Sequence, residues 1–293
     1  MQELELITHS KVTQDISDVL LELGAVAVTL RDAEDNPILE PPPESLILWP
    51  AIKLTALFAD DIQIDEILQQ LYGLFSADDI QSAQKILVED QDWVRETQRQ
   101  FHPMCFGERL WIYPSWEAPP ENDDVKILLD PGIAFGTGTH PTTGLILTWL
   151  AKNSPADKVV LDYGCGSGIL AIAAAKLGAK QIWCTDIDPQ ALSATRENAE
   201  RNQVAADQLI TVLPDALPSD LQVEVILANI LVEPLQQLAV YFHEHLLPGG
   251  LVILSGILAH QRELICEAYG FGFTLENTYQ QDEWLCMVWL KPS

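Results

Sequence analysis

The stretch "VVLDYGCGSGILAIAA", residues 159–174, decides the fold. An apolar run of strand length ends in Asp162 and Tyr163, glycines follow at 164, 166 and 168, and an alanine-rich run of helical length comes next. Glycine at those positions lets the backbone turn sharply from strand to helix and lets a ligand approach the amides at the helix N-terminus. Outward from this turn, strand-like and helix-like segments alternate from residue 158 to the C-terminus, with strands expected at 158–164, 181–186, 209–213, 223–229 and 251–256. Such alternation predicts an α/β fold, a doubly wound and mostly parallel sheet with helices on both faces. The last two strand-like runs, 272–280 and 283–291, have no helix between them and are expected to pair as an antiparallel hairpin at one edge.

The spacing in the turn is D-x-G-x-G-x-G, and the acidic residue two before the first glycine bears on the ligand. A loop that holds a pyrophosphate presents amides to anionic oxygens, and a carboxylate beside it is unhelpful. S-adenosylmethionine carries a sulfonium, an ammonium and no phosphate, so Asp162 favours it by charge, directly or through water. Twenty-two residues after Gly164, Asp186 ends the second strand, where it is placed to accept hydrogen bonds from both ribose hydroxyls. Asp188 is better explained as the N-cap of the next helix, with Pro189 in its first turn. Asn229 ends the fourth strand, at the edge where open α/β sheets bind ligands. Its carbonyl oxygen can receive an amine's hydrogens, aim the amine's lone pair and stabilise positive charge growing on nitrogen. Taken alone, an Asn there also suits a helix cap.

Together, "DPGIAFGTGTHPTT", "VLDYGCGSGILAIAAAKLGA", "DIDPQAL", "NAERN", "ANIL" and "LSGIL" resemble the bacterial ribosomal protein L11 methyltransferase family, and "FHPMCFGERLWIYPSW" resembles its interdomain segment. The resemblance runs from about residue 90 to the C-terminus; before that it rests on pattern and length. It implies a class I, Rossmann-like S-adenosylmethionine-dependent methyltransferase behind a substrate-recognition domain. The implied activity is methylation of lysine side-chain amines and the N-terminal amine of the ribosomal protein. By position it makes Thr143, Gly164, Asp186 and Asn229 cofactor-contacting residues, Asn229 also the catalytic one, with Asp162 and Gly166 beside them and no metal. The glycines of "AFGTGTHPTT", Gly136 among them, let a loop fold over the methionine portion of the cofactor, with Phe135 covering the site against water. His140 is placed either to touch the substrate or to cap the helix that follows, and the cap is favoured because methyl transfer to an amine does not demand an imidazole. Val232 stands where the family commonly has a small residue, which bears on the fit near the target amine. Two other readings stay open: an N-directed methyltransferase of another translation protein, and a non-catalytic S-adenosylmethionine-binding protein.

The first 90 residues read β-α-β-β-α-β, the split pattern of a smaller ferredoxin-like α+β domain with an antiparallel sheet and both helices on one face. The expected division is 1–88 for substrate recognition, 89–125 as an ordered linker rich in aromatic residues, and 126–293 for methyl transfer. The aromatics are expected to pack between the domains. The formal charge is −27, which excludes electrostatic attachment to bare nucleic acid or anionic lipid. Residues 1–100 hold 20 acidic against 6 basic side chains, and 101–293 hold 23 against 10, so the N-terminal third is the more acidic per residue and suits a basic protein partner. Five cysteines without a Cys-x-x-Cys pair suit a reducing cytoplasm, and the acidic start "MQELELITHS" is unlike a signal peptide. The expected state is a cytoplasmic monomer that meets L11 free or before assembly.

Overall fold

The computed structural model describes residues 1–34, 49–87, 101–130 and 138–293. The chain forms two compact units, Met1–Glu96 and Thr97–Ser293.

In the first unit the elements are β1 (Gln2–His9), α1 (Thr13–Glu22), β2 (Ala27–Asp32), β3 (Ala51–Phe58), α2 (Ile64–Leu74) and β4 (Ser82–Leu87). Strict alternation along β1 buries Leu4 and Leu6 and turns Glu3 and Glu5 the other way. Strand β3 alternates in the same sense, and Leu54, Ala56 and Phe58 join Ile16 and Leu20 of α1 and Ile64, Ile67 and Leu71 of α2 in one apolar cluster. Both helices therefore lie on one face of an antiparallel sheet of order β2-β3-β1-β4, as the β-α-β-β-α-β pattern predicts.

The second unit opens with β5 (Met104–Phe106), β6 (Leu110–Tyr113) and β7 (Val125–Leu128), which make a small sheet with β6 between an antiparallel and a parallel neighbour. Then follow α3 (Pro141–Lys152), β8 (Val159–Tyr163), α4 (Ile169–Lys176), β9 (Gln181–Thr185), α5 (Pro189–Arg201), β10 (Leu209–Val212), β11 (Val223–Asn229), α6 (Val232–His245), β12 (Leu246–Leu258), α7 (Arg262–Tyr269), β13 (Thr274–Gln281) and β14 (Trp284–Leu290). The large sheet has the order β10-β9-β8-β11-β12-β14-β13, parallel through β12 and antiparallel at the last two strands. The expected hairpin forms, with β14 against β12 and β13 at the edge.

The central strands read as unbroken apolar runs because both their faces are covered. Val160, Val225 and Leu227 pack with α3, α4 and α5 on one side, while Leu161, Ile226 and Ala228 pack with α6 and α7 on the other. The chain runs outward one way through β8, β9 and β10 and the other way from β11, so the order reverses between β8 and β11. Tyr163 and Asn229 close those two strands at their C-terminal ends, where such sheets bind ligands.

Residues 101–125, read from the sequence as part of a linker, belong to the fold of the second unit. Leu110, Ile112 and Ile127 are buried in the same core as α3 and α4. Gly107 has φ +55°, and a Cβ there would lie 2.6 Å from the Ala151 Cβ; a Cβ on Gly144 of α3 would lie 3.1 Å from the Phe106 ring. Of the aromatics expected to pack between domains, Phe101 meets Trp116 edge to face, and the Trp111 indole donates to Asp124 at 3.0 Å. Trp93 and the rest of 88–100 lie outside the described residues.

The segment "NAERN" at the end of α5 fastens separate parts of this unit. Asn202, 4% exposed, accepts from the Leu128 N–H at 2.7 Å and donates to the Leu128 carbonyl at 2.8 Å, doing for the end of β7 what a neighbouring strand would do. Arg201 reaches Asp130, and Asn198 donates to the Ser167 carbonyl in the glycine turn. An Asn202→Leu variant leaves both Leu128 groups without partners, at about 1–3 kcal/mol for each unsatisfied group. Its calorimetric melting temperature is expected to fall by several degrees, and an unchanged melting temperature would refute this account of the clamp.

Candidate active site

The glycine turn is left-handed at three positions, with φ +81° at Gly164, +53° at Gly166 and +80° at Gly168. A side chain there is strained at each, and at Gly168 a Cβ would also meet Thr195 at 2.8 Å. The turn is tied to the end of β9. The Gly164 and Cys165 N–H groups donate to the Thr185 carbonyl at 2.8 and 3.0 Å. Asp186 accepts from the Gly166 N–H on one oxygen and from the Asp188 N–H on the other, both at 3.0 Å. A carboxylate has about four lone-pair sites, so Asp186 is held in place with capacity left for two further donors. Asp188 caps α5, accepting from the Gln190 N–H at 2.8 Å with Pro189 next, as its position predicts.

Asp162 differs from its sequence reading. It is fully buried beneath α4, and one oxygen accepts from the Ala171 N–H at 3.0 Å while the other has no hydrogen-bond partner. With no exposed atom it reaches no ligand directly, so its charge acts through the turn it underlies. Burial pushes its pKa up to about 7, against the pull of the Ala171 N–H and helped by the nearby Asp186 charge. The folded value lies above the unfolded value of 3.8, so this group's contribution to stability is complete below about pH 4 and is lost as pH rises through 7. Wild type is therefore expected to lose more stability than Asp162→Asn between pH 5 and pH 8, read as urea midpoints at both values. Identical pH dependence in the two proteins would remove Asp162 as the source.

Across the switch point, the Asn229 side-chain nitrogen donates to Thr143 Oγ1 at 3.1 Å. These two residues lie 86 apart in sequence, and the fold brings them into contact. Asn229 is not a helix cap, since Leu231 occupies that position before α6. Thr143 is fully buried in the first turn of α3, whose N-cap is His140. The His140 Nδ1 lies 2.8 Å from the Thr142 hydroxyl and accepts from the Thr142 N–H at 3.4 Å, and its ring meets Trp284 edge to face at 4.9 Å. Burial lowers its pKa, which suits the capping role read from the sequence. Val232 is buried in the core with Leu235, so its size does not bear on the acceptor side; the exposed side chain of this segment is Leu231, two residues after Asn229. Phe135 and Gly136 lie outside the described residues.

Two residues of this region were missed in the sequence. Ile187, 84% exposed beside Asp186, offers an apolar surface where a base would lie. Ile230 rests between Gly164 and Gly256, and a glycine inside the apolar run "LVILSGIL" was the available sign, since such a residue marks a bulge or a close backbone approach.

The donor set suits a phosphate-free cation. Residues 159–175 contain no Lys or Arg, and the carboxylate that faces the turn is that of Asp186. S-adenosylmethionine fits that charge, and the left-handed glycines leave the backbone open to it.

A family model described as "Ribosomal protein L11 methyltransferase (PrmA)" matches residues 1–292. The chain belongs to the ribosomal protein L11 methyltransferase family. Curated proteins of that name from Escherichia coli O8 (strain IAI1) and Escherichia coli (strain K12 / DH10B) are each 46% identical over 284 residues, covering 96% of this chain and 96% of their own. The crystal structure of a ribosomal protein L11 methylase from Lactobacillus delbrueckii subsp. bulgaricus is 34% identical, covers 66% of this chain and all of its own, and superposes with a TM-score of 0.61. The L11 methyltransferase family match extends through the first 90 residues, where motifs were scarce. The second unit has the class I methyltransferase fold, and the family's segments converge in it: "NAERN" holds the glycine turn and the end of β7, "ANIL" carries Asn229, and "LSGIL" carries the glycine against which Ile230 rests.

Proposed function

We propose that this chain transfers methyl groups from S-adenosylmethionine to lysine side-chain amines and the N-terminal amine of ribosomal protein L11. The observation that carries the reading is the hydrogen bond from Asn229 to Thr143, placed at the sheet's switch point beside the glycine turn. When bound, S-adenosylmethionine supplies a methyl group on a cationic sulfur that a neutral amine can displace. Asp186 would hold it by accepting from the ribose hydroxyls on its remaining lone pairs, and the exposed Ile187 beside it would offer the base an apolar surface. With its nitrogen committed to Thr143, Asn229 has Oδ1 left to accept the amine's hydrogens, which aims the nitrogen lone pair and favours the charge that develops there. A free lysine has a pKa near 10.4 and arrives mostly protonated. Asp162 is sealed off from the amine, and the proton leaves to water before the amine enters. Positioning supplies most of the rate.

The acidity of the first unit supports a role for residues 1–88 as the reader of a basic substrate, with the second unit, which includes 101–125, as the catalytic part. The same charge supports a free or unassembled L11 as substrate, with no direct contact to RNA. Among the described residues no helix is long and apolar enough to cross a membrane. We assign the chain to the cytoplasm as a monomer.

The test is incubation with methyl-labelled S-adenosylmethionine and undermethylated L11, with labelled sites found by mass spectrometry. Label on L11 amines is expected; label confined to other proteins overturns the substrate, and cofactor binding without transfer overturns the activity. A chain shortened to begin at Thr97 is expected to bind cofactor and lose L11 methylation; full methylation by it would sink the reader role.

A further inference from the structure

Ile230, the residue after Asn229, sits in a seat made by two glycines from different strands. A Cβ on Gly164, after β8, would lie 2.4 Å from the Ile230 Cγ2 methyl. A Cβ on Gly256, in β12, would lie 2.2 Å from the Ile230 carbonyl oxygen and 2.9 Å from its carbonyl carbon. Both glycines are left-handed, with φ +81° and +84°. Asn229 pairs with Ser255 in parallel register, and the pairing of β12 with β14 slips between Ser255 and Ile257, so Gly256 is the bulged residue opposite Ile230. Main chain rests on one glycine and side chain on the other, at distances that leave no space for a methyl group on either.

We infer that Ile230 is a positioning residue, a spacer that sets the distance between Asn229 and the glycine turn. The inference rests on the proposed methyl transfer and names the part that fixes its geometry. Asn229 makes the last strand pairing of β11, with Ser255, and Ile230 is the first residue beyond it; among the described residues the Asn229 side chain hydrogen-bonds to Thr143. A shift of Ile230 toward either glycine moves the Asn229 carbonyl relative to the turn. The γ-methyl against Gly164 is shared by isoleucine and valine and absent from alanine, so the spacer depends on β-branching rather than on bulk.

The experiment compares Ile230→Val, Ile230→Ala and wild type by two readouts. The first is the NMR position of the Asn229 side-chain amide, assigned by its disappearance in Asn229→Asp. It is expected to match wild type in Ile230→Val and to move in Ile230→Ala. The second is kinetics on L11, where Ile230→Ala is expected to lose about 10-fold or more in kcat, since a 1 Å misplacement costs up to about 100-fold, with KM for S-adenosylmethionine little changed. Ile230→Val is expected to retain wild-type kcat. An Asn229 amide signal unmoved in Ile230→Ala overturns the inference, as does a fall in which KM changes and kcat does not. If wild type itself leaves L11 unmethylated, the proposed function fails, and the amide signal still decides the spacer.

Discussion

An Asn229→Ala variant is expected to lose about 100-fold in kcat, the scale of removing one pre-aimed polar group from a transition state, while its affinity for S-adenosylmethionine changes far less. Asn229 ends β11, so its backbone is set by pairing with Ser255 and survives the truncation. What alanine removes is the carbonyl oxygen that receives the amine's hydrogens and the amide that fixes it to Thr143. The two effects separate with Thr143→Val, which keeps the oxygen and frees the amide; its loss is expected to be smaller than that of Asn229→Ala. Single-turnover rates at saturating L11, with cofactor affinity from calorimetry, make the comparison. Full turnover in Asn229→Ala would remove this residue from the chemistry.

Asp186→Ala is expected to weaken S-adenosylmethionine binding by about 100-fold or more. Hydrogen bonds to a charged acceptor contribute about 1.5–3 kcal/mol each, and each 1.4 kcal/mol is tenfold in affinity, so losing two ribose contacts gives that scale. The carboxylate also organises its surroundings, because the Gly166 and Asp188 N–H groups both donate to it. Asp186→Asn keeps one acceptor oxygen and is expected to fall between alanine and wild type. Titration calorimetry decides it, and wild-type affinity in Asp186→Ala would place the ribose elsewhere.

Much of this was legible because it is local. The turn at 164–168 shows in glycine spacing, the Asp188 cap in its position before Pro189, and the central strands in apolar runs covered on both faces. The strands at Met104–Phe106 and Leu110–Tyr113 were not, because three or four residues carry no period, and β6 pairs in parallel with β7 across a loop rich in turn residues. The burial of Asp162 was equally hidden. A carboxylate before a glycine turn looks like a ligand contact, and only the helix packed over it shows that it faces a backbone amide. The contact of Thr143 with Asn229 spans 86 residues, and Ile230 meets glycines 66 positions before it and 26 after; fold topology creates these meetings, and the glycine within "LVILSGIL" is a local sign of the last alone.

The seat formed by Gly164, Ile230 and Gly256 also constrains how such a chain can be redesigned. Positions in direct contact do not contribute additively, so substitutions at these three are expected to show strong epistasis. A library that randomises position 256 alone is expected to return glycine, because a side chain there meets the Ile230 main chain, and one at 230 is expected to return isoleucine or valine; only at 164, which faces the Ile230 side chain, does a smaller residue at 230 make room for a larger one. Divergence in this part of the sheet then proceeds by coupled exchange, and a lone change at one position leaves two neighbours fitted to a side chain that is gone.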